Sequence, residues 1–395
     1  MLLKTKIGVL KAALLQASYT LDSKHSSVGS WIYLIARKDK EDVGYLYIYS
    51  SNLGLARTLL KIPAEVTKEG EALILPKLLQ SALTCLPEDE DVNLGLSVSG
   101  AKLQVKYGSI KSEIAIHAEV TKAKEVLQTI PFNAKPSTSI SASTLVNIIN
   151  RTLFCTATGN TAISEGPWLS SVHLATGDGI VMGKATNRVI AGKAEVHDGL
   201  VTSGYATGIH RDALVALKAI LSKRPQEEVT ITNANDENNI SNEVLFRFSD
   251  VILGVRQLAI SYPEAVENIF KIPTDFYKAT INRAILLSAF SRLKAFAEKS
   301  VFTFTFAGEK VTITSKGYDS IFQEQVAKAE KTDGTVTVGL GLNDVMTILT
   351  TMQSEDVIIR YKSDNDHVHF QEGESHFFYV LSPIVVEWSS KGKAA

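Results

Sequence analysis

The chain has 395 residues, 45% of them hydrophobic and 21% charged, with a formal net charge of −1. That balance excludes a disordered chain and supplies enough apolar residues for two or three ordinary globular domains. It contains no stretch of 18 apolar residues and no basic, apolar, small-residue leader pattern, so a cytoplasmic protein with no membrane partner is expected.

The first predicted helix carries Ile7, Leu10, Leu14, Ala17 and Leu21 at three- and four-residue steps, which gives it one buried face. Short alternating strands follow, Leu46-Tyr-Ile48 among them. A second helix is then carried by Leu75, Leu78, Leu79 and Ala82, with Pro76 in its first turn, where an N–H is not needed. Strands over residues 92–98, 103–105 and 114–116 close the unit. Pro and small polar residues gather at 131–143, and the pattern then restarts with Leu145, Ile148, Ile149 and Leu153, continuing to a helix on Leu214, Leu217 and Leu221. A second such linker at 272–280 precedes Leu286, Phe290, Leu293 and Ala297, and later Val345, Ile348, Leu349 and Met352. Ala64-Glu65-Val66 and Ala194-Glu195-Val196 read as equivalent hairpin ends. The strand anchors Val92, Val229 and Val357 lie 137 and 128 residues apart, a period the size of a domain. The expectation is an α+β protein of three tandem homologous domains, 1–133, 134–272 and 273–395, the last including a C-terminal tail. Each places two helices on a largely antiparallel sheet. Cys85 and Cys155, both inside apolar helical patterns, read as buried thiols.

Net charge near zero argues against nucleic-acid binding, but its distribution argues for it. Residues 1–25 carry four Lys against one Asp, and residues 205–225 carry Arg211, Lys218, Lys223 and Arg224 against Asp212. Residues 276–299 carry five cations, Arg292 and Lys294 among them, against Glu298. Turns such as Glu88-Asp-Glu-Asp91 are acidic. One reading is the ordinary preference of Lys and Arg for helices. The other is a basic helical face on an acidic body, which would orient the protein on phosphates.

Three units of this design with basic helices resemble the bacterial beta sliding clamp, the processivity factor of replicative DNA polymerases. The resemblance rests on Leu145-Val-Asn-Ile-Ile-Asn-Arg-Thr-Leu-Phe154, Ala185-Thr-Asn-Arg188, Tyr262-Pro263-Glu264 and Tyr379-Val-Leu-Ser-Pro383. Ring geometry agrees: domains about 35 Å across leave a hole of only ~5 Å for three, ~14 Å for four and ~35 Å for six, so two chains are needed around a duplex roughly 20 Å wide. The resemblance implies a homodimeric ring on double-stranded DNA that tethers a DNA polymerase and has a clamp loader as a further partner. It is non-enzymatic and needs no cofactor or metal. It places Ile114, Ile116 and Phe296 at the dimer contact, with third-unit core an equal alternative for Phe296. Lys24, His25, Arg151, Arg292 and Lys294 would face DNA, joined by Arg211 and Lys218 from the charge pattern. A partner-peptide pocket would be built from Thr186, Arg188, Val189, Pro263, Val380, Ser382, Pro383 and Ile384. The chain lacks the family's Gly-His between Asn187 and Arg188, reads Ser382-Pro-Ile-Val385 where Met-Pro-Met-Arg is usual, and continues into a tail, 387–395. An open-groove nucleic-acid-binding protein or a scaffold without ring closure is the alternative.

Other signals are weaker. Gly183-Lys184 lacks the Gly-rich cradle and following hydroxyl of a phosphate loop. His367 and His369, with Asp366 and Glu372 nearby, have ligand-like chemistry but the pattern of a surface hairpin. Cys155, His173 and Asp178 are the best hydrolytic set, yet no nucleophile turn surrounds Cys155.

Overall fold

Period-two alternation and helical periodicity resolve into 25 strands and seven α-helices among the described residues of the computed structural model. These residues are 1–21, 30–52, 55–84, 86, 93–118, 136–159, 166–233, 243–258, 262–296, 300–316, 321–328 and 335–386. The chain divides into two compact units, one of residues 1–146, 176–179 and 198–259, the other of 147–175, 180–197 and 260–395. The order of elements nevertheless recurs three times: a strand, a helix, several strands, a second helix and further strands.

In the first unit β1 (Leu2–Lys6) alternates exposed residues with buried Leu3 and Thr5 and leads directly into α1 (Ile7–Ser18), whose Ile7, Leu10, Leu14 and Ala17 are buried. Strands β2 (Ile32–Lys38), β3 (Gly44–Asn52), β4 (Ala56–Pro63), β5 (Glu65–Lys68) and β6 (Gly70–Ile74) follow. Helix α2 (Pro76–Thr84) starts on Pro76, as its missing N–H favours. Its core residues are Leu79 and Leu83; Leu78, expected inside, is 46% exposed because it lies one step off the buried stripe. Strands β7 (Asn93–Ser99), β8 (Lys102–Tyr107) and β9 (Ile110–Ala115) complete an antiparallel sheet in the order β5-β1-β7-β8-β9.

The same unit contains β10 (Thr138–Ser141), β14 (Tyr205–His210), α4 (Arg211–Leu221), β15 (Glu228–Asn233), β16 (Glu243–Phe248) and β17 (Val251–Leu258). Antiparallel pairing of β17 with β4, in the register Ile252↔Leu59, joins strands from two repeats into one sheet, β10-β15-β16-β17-β4-β3-β2-β6. A side-chain ion pair between Arg57 on β4 and Glu243 on β16 crosses β17 at Gly254, where an added Cβ would come within 3.2 Å of Arg57 Cγ. One face of β3 and β4 carries α1: Thr20 Oγ1 lies 2.7 Å from Ser50 Oγ and 2.8 Å from Thr58 Oγ1.

From Asn147 onward α3 (Ala142–Thr152) belongs to the second unit, as does β11 (Ser171–Gly177) up to Ala175. The unit continues through β12 (Ile180–Thr186), β13 (Ile190–His197), α5 (Glu264–Ile269), β18 (Tyr277–Asn282) and α6 (Arg283–Phe296). It ends with β19 (Val301–Ala307), β20 (Lys310–Lys316), β21 (Ile321–Lys328), β22 (Thr335–Gly341), α7 (Leu342–Thr351), β23 (Asp356–Tyr361), β24 (Val368–Glu372) and β25 (Phe377–Leu381). One sheet runs β18-β23-β24-β25-β13-β12-β11 and the other β21-β20-β19-β22. Ala194–Val196 lies within β13 while Ala64 separates β4 from β5, so the two Ala-Glu-Val triplets are not equivalent hairpin ends.

Alternation along β19 sends Phe302, Phe304 and Phe306 inward, where Phe290 of α6 meets Phe302 edge-on at 4.7 Å between centroids. Asn282 caps α6 by accepting from the N–H groups of Ala284 at 3.0 Å and Ile285 at 3.2 Å. Arg283 donates to the carbonyls of Leu349 at 3.3 Å and Ser354 at 2.8 Å, serving the otherwise unpaired end of α7. This cation from the basic 276–299 stretch therefore has a structural role.

Candidate functional site

Where β12 turns into β13, Asn187 Oδ1 accepts from the N–H of Val189 at 3.0 Å and of Ile190 at 2.8 Å. Thr186 Oγ1 donates to the Ile190 carbonyl at 3.0 Å and accepts from the Arg188 N–H at 3.0 Å. Arg188 itself takes a left-handed φ of 75°, a conformation this hydrogen-bonded turn holds in place. Beside it, Ser382 N–H donates to the Val189 carbonyl at 2.9 Å and Ser382 Oγ to the Arg188 carbonyl at 3.1 Å. The turn is thereby pinned, and the Val189 side chain is left 45% exposed.

A cleft of about 210 Å³ opens beside this turn, lined by Trp168, Thr186, Arg188, Val189, Ala191, Ala265, Val266, Ile269, His367, Val380 and Ser382. One wall is the short α5, which starts after Pro263 with Glu264 and Glu267 in its first turn. Lys184 of β12, nearly buried, anchors this helix by contacting both Glu267 carboxylate oxygens at 2.5 and 2.6 Å. Behind it His173 stacks on Tyr262 at 5.5 Å and Trp168 meets the same ring edge-on at 6.3 Å. Burial, with Lys184 nearby, lowers the His173 pKa and keeps the ring neutral near pH 7. The cleft is thus apolar walls with one guanidinium and one imidazole at its rim, which suits a short peptide with a hydrophobic anchor.

Among the described residues, two sheets end in strands paired on one side only. In the first unit β9 is the outer strand of its sheet, with Ile110 46% exposed; in the second, β21 is outermost, with Ile321 66% exposed. Phe296, at the end of α6, is half exposed and stacks on Phe322 of β21 at 5.4 Å. Such edges offer free backbone groups to another strand.

The chain as a whole has similar proteins of known structure and sequence. Over 239 residues the chain is 26% identical to the beta sliding clamp of Synechococcus elongatus, a match covering 60% of this chain and 59% of that relative. A DNA polymerase sliding clamp structure from Pseudomonas aeruginosa and a DNA polymerase III beta subunit structure from Thermotoga maritima superpose with TM-scores of 0.82 and 0.83 at 17% and 16% identity. A DNA polymerase III beta subunit structure from Eubacterium rectale superposes at 0.85 with 14% identity. Each covers 98% of this chain and all of the other. The fold is that of the bacterial beta sliding clamp. No family model matches the sequence. The α+β class expected from the sequence, with helices on antiparallel sheets, is the clamp class.

Within this clamp fold, Thr186, Arg188, Val189, Val380 and Ser382 of the eight expected pocket residues line one cleft. Pro263 instead precedes α5 as its N-cap, and the Ile384 N–H bonds to the Gly339 carbonyl at 2.8 Å, carrying Pro383 and Ile384 out of the lining. Sequence reasoning missed Trp168, Ala191, Ala265, Val266, Ile269 and His367. The Pro-Glu pair ahead of Val266 was the available signal for a helix there.

Of the cations expected on DNA, Arg151 is corrected: it is 3% exposed, donates through both terminal nitrogens to Glu372, and stacks on Phe377 at 3.7 Å. A guanidinium so enclosed cannot meet a phosphate. Arg211 and Lys218 are half-buried on α4, with Arg211 Nε 3.7 Å from Asp212. Arg292 is exposed and donates to Glu324 at 3.0 Å, while Lys294 is exposed in the last turn of α6. Lys24 and His25 lie outside the described residues. Ile114 is 4% exposed opposite Leu103, and Ile116 falls just beyond β9.

The weaker signals resolve structurally. Gly183 exists for contact: a Cβ there would sit 2.5 Å from Ile148 of α3, and Lys184 is committed to Glu267. His369 is 4% exposed, edge-on to Phe276 at 5.4 Å, so the surface-hairpin reading of it is corrected. Among the described residues no cluster of His, Cys, Asp or Glu could hold a metal. Cys155 is buried, which pushes its thiol pKa well up and makes it a poor nucleophile. Cys85 lies outside the described residues. No described helix is long and apolar enough to cross a membrane.

Proposed function

We propose that this protein is a DNA sliding clamp: two copies close into a ring around duplex DNA and tether a DNA polymerase, converting dissociation into sliding. The reading is supported above all by the clamp fold running through 98% of the chain. The three recurrences of element order would be three domains, 1–133, 134–272 and 273–395, so that a ring holds six. The edges at β9 and β21 would pair head to tail between copies, with Ile110 and Ile116 meeting Phe296 and Ile321, while the buried Ile114, expected at this contact, belongs to the core of its own sheet. Two such contacts close the ring. Arg211, Lys218, Arg292 and Lys294, with Lys24 and His25, would face phosphates. These contacts are few and sequence-independent, because tight ones would arrest sliding.

The cleft beside Val189 would receive a hydrophobic-anchor peptide from the polymerase and from a clamp loader. No catalytic step, cofactor or metal is involved, and the protein acts in the cytoplasm. Solution mass tests ring closure, since the ring requires twice 43.0 kDa. Retention on nicked circular DNA in high salt, with loss after linearisation, is the expected signature of a topological tether. A monomer mass, or equal loss from both substrates, refutes it.

A further inference from the structure

The face of the β2-β3-β4 sheet opposite α1 has a composition that neither ring closure nor peptide capture uses. Because Thr20, just beyond α1, hydrogen-bonds to Ser50 and Thr58 on the helix side of the sheet, the residues one step away project to the other side. Registration sets them in rows: Arg37 beside Tyr45, Ile35 beside Tyr47 and Lys61, Tyr33 beside Tyr49 and Leu59. Three tyrosines thus stand in file along β3, roughly 6.8 Å apart at each two-residue step. A cavity of about 510 Å³ opens over Tyr47 and Tyr49, with Ile35, Tyr49, Leu59 and Ile252 as floor and Tyr47, Arg37 and Lys61 at the sides. This volume falls within the ~300–1,000 Å³ of ordinary ligand sites.

Charge at the cavity is on balance positive. Lys61 Nζ sits 3.6 Å over the Tyr45 ring and Arg37 is exposed. Lys38 is matched by Asp42 at 2.9 Å. The lining carboxylate, Asp250, is already engaged by Arg224 at 2.6 Å, and Glu71 accepts from the Tyr33 hydroxyl at the far end. Two cations beside a file of aromatic rings on a sheet is the arrangement that accepts stacked bases and their phosphates.

We propose that this face is a stacking platform for single-stranded nucleic acid, a base lying on Tyr47 over the apolar floor with its phosphates on Arg37 and Lys61. An acidic peptide would use the two cations but leave the file of rings without purpose. The site is distinct from the basic helices, so it stands whether or not the ring closes.

The test is fluorescence anisotropy of the full chain with a labelled oligothymidylate of about 12 nucleotides, within the ~4–16 of known sheet platforms. Tyr47→Ala should weaken binding about tenfold, as loss of one stacked base does. Arg37→Ala with Lys61→Ala should flatten the salt dependence by about 1.4 in log–log slope, ~0.7 per phosphate contact. Both variants should keep wild-type salt-resistant retention on circular duplex. Lys218→Ala with Lys294→Ala should leave oligonucleotide affinity unchanged, which separates this site from the proposed duplex contacts. Lys61→Glu, at a half-exposed position, abolishes binding in a chain that still folds by circular dichroism, should Tyr47→Ala not fold. No binding, wild-type affinity in Lys61→Glu, or displacement by polyglutamate as effective as by unlabelled oligothymidylate overturns the proposal.

Discussion

Replacing Arg151 by Met separates a structural arginine from a DNA-contacting one. The guanidinium is 3% exposed and Glu372 is 5% exposed, so the pair is desolvated on both sides. Glu372 also accepts from the backbone N–H groups of Gln353 at 2.8 Å and Ser354 at 3.1 Å, tying the end of α7 to α3. Removing Arg151 leaves a buried carboxylate with two backbone donors and no countercharge, a loss of about 3–5 kcal/mol for such pairs. With an m-value near 3 kcal/mol/M, the urea midpoint of the second unit should fall by about 1–2 M. Adding Glu372→Gln to Arg151→Met should recover part of that loss by removing the stranded charge, whereas neither change should alter the salt dependence of duplex binding. Tryptophan fluorescence in urea, with filter binding across salt concentrations, reads both quantities. A variant of wild-type midpoint with a shallower salt slope would refute the buried-pair account and return Arg151 to the DNA surface.

His369 should give a measurable pH dependence. Burial lowers its pKa to about 4, from an unfolded value near 6.5, so the unfolded chain binds the extra proton between those values. Stability is then full above pH ~6.5 and declines as pH falls towards 4, by up to ~3 kcal/mol; His369→Phe should flatten that decline in urea titrations, and an unchanged profile contradicts it. Gly183→Val sets new atoms against Ile148, whose Cγ2 would lie 2.5 Å from the first of them, so melting should fall by the equivalent of about 1–3 kcal/mol or more. A phosphate-loop role would instead leave melting unchanged. Val189→Asp, on a residue 45% exposed, should cost less than about 0.5 kcal/mol of stability yet weaken capture of a leucine-anchored peptide at least tenfold. Equal capture by both proteins excludes the cleft as the peptide site.

The helices were legible because their apolar residues recur at steps of three and four: Ile7 to Ala17, Leu286 to Leu293 and Val345 to Leu349 are buried as that spacing requires. Strand alternation located β3 and β8 in the same way. Leu78 escaped because periodicity names a stripe but not its edge. The cleft was half legible: the turn at 186–189 and the strand end at 380–382 carried a recognisable pattern, while Trp168, Val266 and Ile269 lie far from both in sequence. Nothing in a linear pattern says that Lys184 reaches across 83 residues to Glu267 and draws α5 into place.

The sign of a residue's charge could be read directly, but its use could not. Arg151, Arg224 and Arg283 counted as cations of basic helices and Lys184 only as part of an incomplete phosphate loop, and each is held by a carboxylate or a carbonyl supplied from a distant segment. Local order, being a matter of side chains a few residues apart, was determined by the amino-acid sequence on its own. Which cations stay available, which strands of different repeats fuse into one sheet, and where the three tyrosines of β3 meet Arg37 and Lys61 were decided only in three dimensions. Pairing energies depend on through-space distance and desolvation, and neither quantity is ordered along the chain.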